Sequence, residues 1–275
     1  MTKLKLLSLF AGIGGFELGL ERSGGFETVA QCEIDPYCLK VLAKHWPEVK
    51  RYEDIRNLTA DRLAADGITV DAICGGFPCQ DISTAGKGAG IEGERSGLWS
   101  EYARLIGELR PRVVFVENVS ALLGRGLDRV LGDLSALGYD AVWDCIPASA
   151  VGAPHRRDRL WIVANARGGR WSEPKSWEVQ QPWRTEAVCA SALADAMRER
   201  PQRQRWSFDT SSSAAGTDRQ VDRAFYDGRW PAEPNVGRVA NGVPNRVDRL
   251  KALGNAVVPQ IPELLGRAYM EACNV

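Results

Sequence analysis

The chain reads as an α/β protein with a doubly wound, mostly parallel sheet, and three observations carry that reading. Short apolar runs alternate with longer amphipathic stretches from residue 4 to residue 165, the pattern of strands joined by crossover helices. Glycine-bearing turns follow two of the runs directly, at Ala11-Gly12-Ile13-Gly14-Gly15 and at Gly75-Gly76-Phe77-Pro78-Cys79-Gln80. Acidic, basic or nucleophilic residues stand at the ends of the runs, where such sheets place their chemistry. At 275 residues, with 44% hydrophobic and 25% charged residues, the chain suffices for one full α/β domain plus a small insertion.

The elements follow in order. Residues 4–10 form an apolar strand, a glycine turn comes next, and residues 16–22 have helical periodicity. Strand 28–32 ends at Glu33, helix 36–45 opens with Pro36, and a short third strand precedes Asp54. Strands are then read at 70–74, 113–116, 141–146 and 160–163, with helices at 98–109 and 127–137. The character changes at Ala166. Strand-like runs vanish, Trp171, Trp177, Trp183, Trp206 and Trp230 are scattered among arginines, glutamines and serines, and residues 211–216 read as a loop. Periodicity returns at 262–272, a helix preceded by a turn at Gly254-Asn255. The chain therefore divides into one domain of residues 1–165 plus 246–275 and a small domain of residues 166–245.

Composition excludes several classes. The net charge is zero, so any attraction for nucleic acid is local. Seven cysteines, with no CxxC pair and no secretory signal, point to a reduced, cytoplasmic setting. Two histidines, His45 and His155, supply a zinc site or a serine–histidine triad poorly, so no metal is expected. No apolar run approaches the roughly 20 residues that span a bilayer.

The first glycine turn, opening a helix after a strand, suits the polar part of a nucleotide-like cofactor. A dinucleotide fingerprint would need glycine where Glu17 stands, and a carboxylate there would sit badly beside a pyrophosphate. Glu33 is placed to accept from both ribose hydroxyls, and Asp54 to accept from an adenine amino group. An adenosyl ligand without a pyrophosphate fits these residues; a plain glycine turn beside a solvated Glu33 is the alternative. The second turn sets Cys79 after a buried strand. Further on, Glu117 ends the apolar run Val113-Val114-Phe115-Val116, and His155-Arg156-Arg157-Asp158-Arg159 feeds into Leu160-Trp161-Ile162-Val163. Nucleophile, acid and cation thus recur at strand edges.

In the same linear order the chain resembles the DNA cytosine-5 methyltransferase family. The resemblance is carried by Phe10-Ala11-Gly12-Ile13-Gly14-Gly15-Phe16, residues 75–83, Glu94-Arg95-Ser96-Gly97-Leu98-Trp99, Glu117-Asn118-Val119, residues 152–159 and Leu253-Gly254-Asn255-Ala256-Val257-Val258. It departs from the family's pattern at His155, where glutamine is usual, in the shortened block 243–250, and in a compact segment 166–243, features closer to phage or prophage members. The resemblance implies a Rossmann-like fold that binds S-adenosylmethionine, with 166–245 as an inserted target-recognition domain. Cofactor contacts are implied for Phe10, Gly12, Ile13, Gly14, Gly15, Glu33, Ile34, Asp54, Ile55, Pro78, Leu98, Asn255 and Val257. Double-stranded DNA is the implied partner of a monomeric enzyme, met by Gln80, Ser83, Lys87, Arg95 and Arg157.

The same resemblance implies the roles at the edge. Cys79 is the thiolate that adds to carbon 6 of cytosine and makes carbon 5 nucleophilic. Glu117 holds ring nitrogen 3 and the amino group, Arg159 steadies the ring carbonyl and Glu117, and Arg157 braces that pocket or a phosphate. The base must leave the duplex for this chemistry, and residues 80–97 suit a closing loop. Three rivals are weighed. A methyltransferase acting on cytosine in transfer RNA keeps the fold, though residues 77–80 and the inserted segment favour DNA; an oxidoreductase is opposed by Glu17 and by the lack of a hydride site. A non-catalytic DNA-binding relative is opposed by the intact Cys79, Glu117 and Arg159. The scattered tryptophans read as small-domain core, and Arg198, Arg200, Arg203 and Arg205 as base or phosphate contacts or a solvated face. Cys32, Cys38, Cys74, Cys145, Cys189 and Cys273 read as packed or incidental thiols.

Overall fold

The computed structural model describes residues 2–78, 98–168 and 246–273. Seven strands among them form one sheet in the order β3-β2-β1-β4-β5-β7-β6. They are β1 (Leu4–Leu9), β2 (Phe26–Cys32), β3 (Lys50–Tyr52), β4 (Ala72–Gly75), β5 (Val113–Val119), β6 (Tyr139–Ile146) and β7 (Arg159–Ala166). From β3 to β5 all neighbours pair parallel, so the mostly parallel sheet expected from the sequence is present. Strand β7 runs antiparallel between β5 and β6, a reversal that apolar runs alone do not encode.

Side-chain alternation sends each strand into two cores. Leu7, Leu9, Ile73, Val114, Val116, Leu160 and Ile162 face one layer of helices: α3 (Ala60–Ala65), α4 (Leu98–Leu109) and α5 (Leu127–Ala136). Leu4, Leu6, Ala72, Val113, Phe115, Trp161 and Val163 face the other, where α1 (Gly15–Arg22) and α7 (Gln260–Ala272) pack. Helix α7 contributes Ile261, Leu265 and Tyr269, spaced four apart on one helical stripe. The carboxyl-terminal segment therefore belongs to the core of the glycine-turn domain. Burying each such side chain stabilises the fold by about 1.5–3 kcal/mol.

Strand β2 carries an irregularity. The partner of Leu6 is Thr28 but that of Leu7 is Ala30, leaving Val29 as an extra residue. Phe26 faces the α1 core before it, and Ala30 and Cys32 face the opposite core after it. Gln31 thereby turns towards α1, where its amide donates to Glu17 Oε1 at 3.2 Å.

Helix α2 (Pro36–His45) starts as its sequence directs, with Pro36 in the first turn and Asp35 accepting from the amides of Tyr37 and Cys38. Helix α6 (Arg246–Asn255) corrects an expectation. Gly254 and Asn255 are its last two residues rather than a free-standing turn. Val247, Leu250 and Leu253 of α6 are exposed, so no buried stripe marks this helix in the sequence. Among the described residues no helix is long and apolar enough to cross a membrane.

Candidate active site

The first half of the site is built on the turn after β1. The backbone runs left-handed at Phe10, Gly12 and Gly14, with φ of 53°, 57° and 89°, which carries the chain from strand to helix within a few residues. Gly12 N–H donates to Glu33 Oε2 and Asp35 N–H to Glu33 Oε1, both at 2.7 Å. The Glu33 carboxylate is thus oriented by the backbone on both oxygens, with lone pairs left for other donors. Ile34 beside it is 66% exposed, an apolar face next to an acid. Residues 255–259 run along the turn as a strap. A Cβ on Gly15 would lie 2.4 Å from the Val257 carbonyl oxygen, a contact only glycine permits. Gly15→Ala is therefore expected to push the strap away and to cost about 1–3 kcal/mol, read by chemical denaturation; an unchanged midpoint would contradict this packing.

The second half lies where β4 and β5 end. Glu117 is paired with Arg159, Nε to Oε1 at 3.0 Å. The reversal of β7 produces this contact, because the ladder sets Val119 opposite Arg159 and Glu117 opposite Trp161. In a parallel strand Arg159 would start at the other edge of the sheet. Burial raises the Glu117 pKa, while the charges of Arg159 and Arg157 pull the other way. The carboxyl group can therefore hold a proton that an exposed glutamate would lose. Gly76 backs directly onto this acid, for a Cβ there would lie 2.7 Å from Glu117 Oε2. Buried Asn118 donates to the Phe77 carbonyl at 3.2 Å and accepts from the Val119 amide at 2.9 Å. This side chain ties the Pro-Cys loop to β5, a positioning role that sequence reasoning missed although the Glu117-Asn118 pair was in view.

The two halves meet in a cavity of about 40 Å³ lined by Phe10, Gly12, Gly76, Glu117, Asn255 and Val257, among others. A larger cavity of about 840 Å³ shares Ile13, Gly15, Ala256 and Val257 with it but is not lined by Glu117, and Glu33 lines neither. The acid and the glycine turn converge in the smaller one.

Other candidates fall differently. Asp54 follows β3 by two residues and caps the helical turn Ile55–Asn57, and its carboxylate is engaged by Arg56 through Nε at 3.0 Å and Nη2 at 2.8 Å. Ile55 is buried in the core and its carbonyl accepts from Arg104. Leu98 opens α4, half-buried against the core. Pro78 is described, whereas Cys79, Gln80, Ser83, Lys87, Arg95 and nearly all of 166–245 lie outside the described residues. Glu17 requires a correction: it is fully buried beneath α1 against Gln31, not beside a ligand, so it is no argument about pyrophosphate. Cys32 and Cys38 are pushed by burial up to about 12 and Cys74 well above the ordinary thiol value, which suits packed, unreactive thiols. Among the described residues no cluster of His, Cys, Asp and Glu could hold a metal ion.

Residues 4–220 match the family model of the C-5 cytosine-specific DNA methylases. The chain belongs to that family. It is 38% identical over 170 residues to the type II methyltransferase M2.BsuMI of Bacillus subtilis, covering 59% of this chain and 42% of that protein. It is 39% identical over 164 residues to the type II methyltransferase M.Eco47II of Escherichia coli, covering 58% and 39%. The chain thus spans about two-fifths of the length of these curated relatives. Among solved structures it resembles a prophage-encoded Escherichia coli protein described as a DNA modification methyltransferase, with a TM-score of 0.51 and 26% identity over 60% of this chain and 47% of that one. The family's Rossmann-like fold is the sheet described above, and Glu117 and Arg159 stand at its carboxyl edge.

Proposed function

We propose that the chain transfers a methyl group from S-adenosylmethionine to carbon 5 of a flipped-out cytosine in double-stranded DNA. The observation that carries this reading is the half-buried Glu117–Arg159 pair, backed by the Gly76 backbone before the Pro-Cys dipeptide and adjoining the glycine turn. The residues present fit the cofactor. Glu33, oriented by two backbone amides, would take the ribose hydroxyls; exposed Ile34 would cover a face of the adenine; residues 255–257 would border the methionine end. Bound there, S-adenosylmethionine supplies an electrophilic methyl group.

The protein's residues do the rest. Cys79, two residues beyond the carbonyl that Asn118 holds, adds as a thiolate to carbon 6. That addition breaks the ring's aromaticity and makes carbon 5 an enamine-like nucleophile. Glu117 donates a hydrogen bond to ring nitrogen 3 and accepts from the exocyclic amine, easing electron flow into the ring. Arg159 keeps Glu117 in place and offers its remaining N–H groups to the ring carbonyl. Loss of the carbon 5 proton then expels Cys79 and restores the ring. Residues 166–245 would serve target recognition, with arginines there to pair with guanine edges or hold phosphates. Gln80, Ser83, Lys87 and Arg95 would contact the DNA, and the enzyme would work as a monomer in the cytoplasm.

The test is a covalent trap. DNA containing 5-fluorocytosine, incubated with the protein and S-adenosylmethionine, should yield a denaturation-resistant complex, because fluorine cannot leave as a proton does. Cys79→Ser should abolish both trapping and methyl transfer while calorimetry still detects the cofactor. Trapping that persists in the serine variant would remove Cys79 from this role. Bisulfite sequencing of DNA from cells expressing the chain would give the target sequence.

A further inference from the structure

We propose that Arg157 is a positioning residue for the cofactor strap: it fastens the carboxyl end of α6 and so sets residues 255–257 against the glycine turn. The assignment rests on the cofactor reading above for its consequence, but on geometry for its substance. Nη1 of Arg157 donates to the Gly254 carbonyl and Nη2 to the Ala256 carbonyl, both at 2.8 Å. Gly254 lies in the last turn of α6, where carbonyls lack helical partners and the helix dipole favours a cation. One planar guanidinium thus serves two carbonyls that straddle Asn255, a bidentate grip that the point charge of lysine cannot reproduce.

The backbone supports the same role. Arg157 has φ of 41°, a conformation that non-glycine residues rarely adopt and that persists where the surroundings fix it. The preceding loop is anchored to the sheet end, for the Ala148 amide donates to the Arg156 carbonyl at 2.6 Å. Two residues further on, Arg159 holds Glu117. One loop therefore grips the cytosine-side acid with one arginine and the cofactor-side strap with another. Burial and then Arg159 lower the Arg157 pKa, while Glu117 opposes them, which places this guanidinium in electrostatic reach of both. Exposed Arg156, whose contact with Asp158 is long at 3.5 Å, is the arginine of the cluster that faces solvent. A phosphate contact suits Arg156 better than the committed guanidinium of Arg157.

The experiment uses the full-length chain with Arg157→Ala, Arg157→Lys and Arg157→Gln. Hydrogen exchange of the amides between 250 and 258 is measured without ligand, and S-adenosylmethionine binding by calorimetry. Arg157→Ala should speed that exchange at least ten-fold. It should also weaken cofactor binding and raise the cofactor KM about ten- to a hundred-fold, with a smaller loss in kcat. Arg157→Lys should recover part of both, and serves with Arg157→Gln if the alanine variant does not fold. Unchanged exchange in this segment would overturn the assignment. So would a loss confined to DNA affinity with a salt slope reduced by about one, the mark of a phosphate contact. Faster exchange in a protein whose wild type binds no S-adenosylmethionine would uphold the strap and overturn the cofactor reading instead.

Discussion

Replacing Glu117 with glutamine is expected to lower methyl transfer by about two to four orders of magnitude, the usual worth of a positioned acid. Glutamine keeps the shape that Gly76 and Arg159 surround, so the cofactor should still bind and the protein should still fold. It cannot pass a proton to or from the ring. The pH profile makes the test specific. Burial raises the Glu117 pKa, and in the proposed reaction it is the protonated form that donates to ring nitrogen 3. Activity of the wild type should therefore fall as the pH rises through that elevated value. This alkaline limb should vanish in Glu117→Gln. Turnover within ten-fold of the wild type would exclude Glu117 as the acid.

The second large effect is on stability and lies away from the reacting atoms. Glu17 is fully buried, and desolvation lifts its pKa to about 7 from an ordinary 4.5. A carboxyl group raised in the folded state contributes its full stability below the unfolded value. As the pH climbs from about 4.5 to about 7, the unfolded chain ionises while the folded chain must keep the proton. Stability is lost across that window and stays lower above it, by about 3 kcal/mol at full extent. Glu17→Gln removes the titration and can still pair with Gln31, as Glu17 does at 3.2 Å. Urea denaturation should show the variant near wild-type stability at pH 5 and more stable by about 2–3 kcal/mol at pH 8. A difference that does not grow with pH would place the ionisation elsewhere.

Most of the sheet was legible because its strands are buried on both faces and read as apolar runs bounded by glycine, proline or charge. Glu33, Glu117 and Arg159 were legible for the same reason, standing where those runs stop. The orientation of β7 was not, since a run of Leu160 to Val163 has no direction of its own; the pairing with β5 supplies it. Helix α6 was hidden because Val247, Leu250 and Leu253 are exposed beside Arg249 and Lys251, so no apolar stripe contrasts with a polar one. Helix α3 is six residues long, too short for periodicity to show. Glu17 lies inside α1, three residues beyond Gly14, and helix geometry turns it into the core, a direction that its position in the glycine motif does not encode. The grip of Arg157 on Gly254 crosses 97 positions of sequence, and no local pattern records such a pairing.

The extra residue in β2 decides which face each later residue of that strand presents. Val29 lies between the pairs Leu6–Thr28 and Leu7–Ala30, so Thr28 and Ala30 already meet consecutive residues of β1. Deleting Val29 would make those two neighbours in the chain and leave a regular ladder, with Ala30, Gln31 and Cys32 still opposite Leu7, Ser8 and Leu9. Gln31 would stay on the face where it meets Glu17. At a regular position of the strand the same loss would turn the following side chains over to the other face. One codon is therefore dispensable here and nowhere else along the paired stretch.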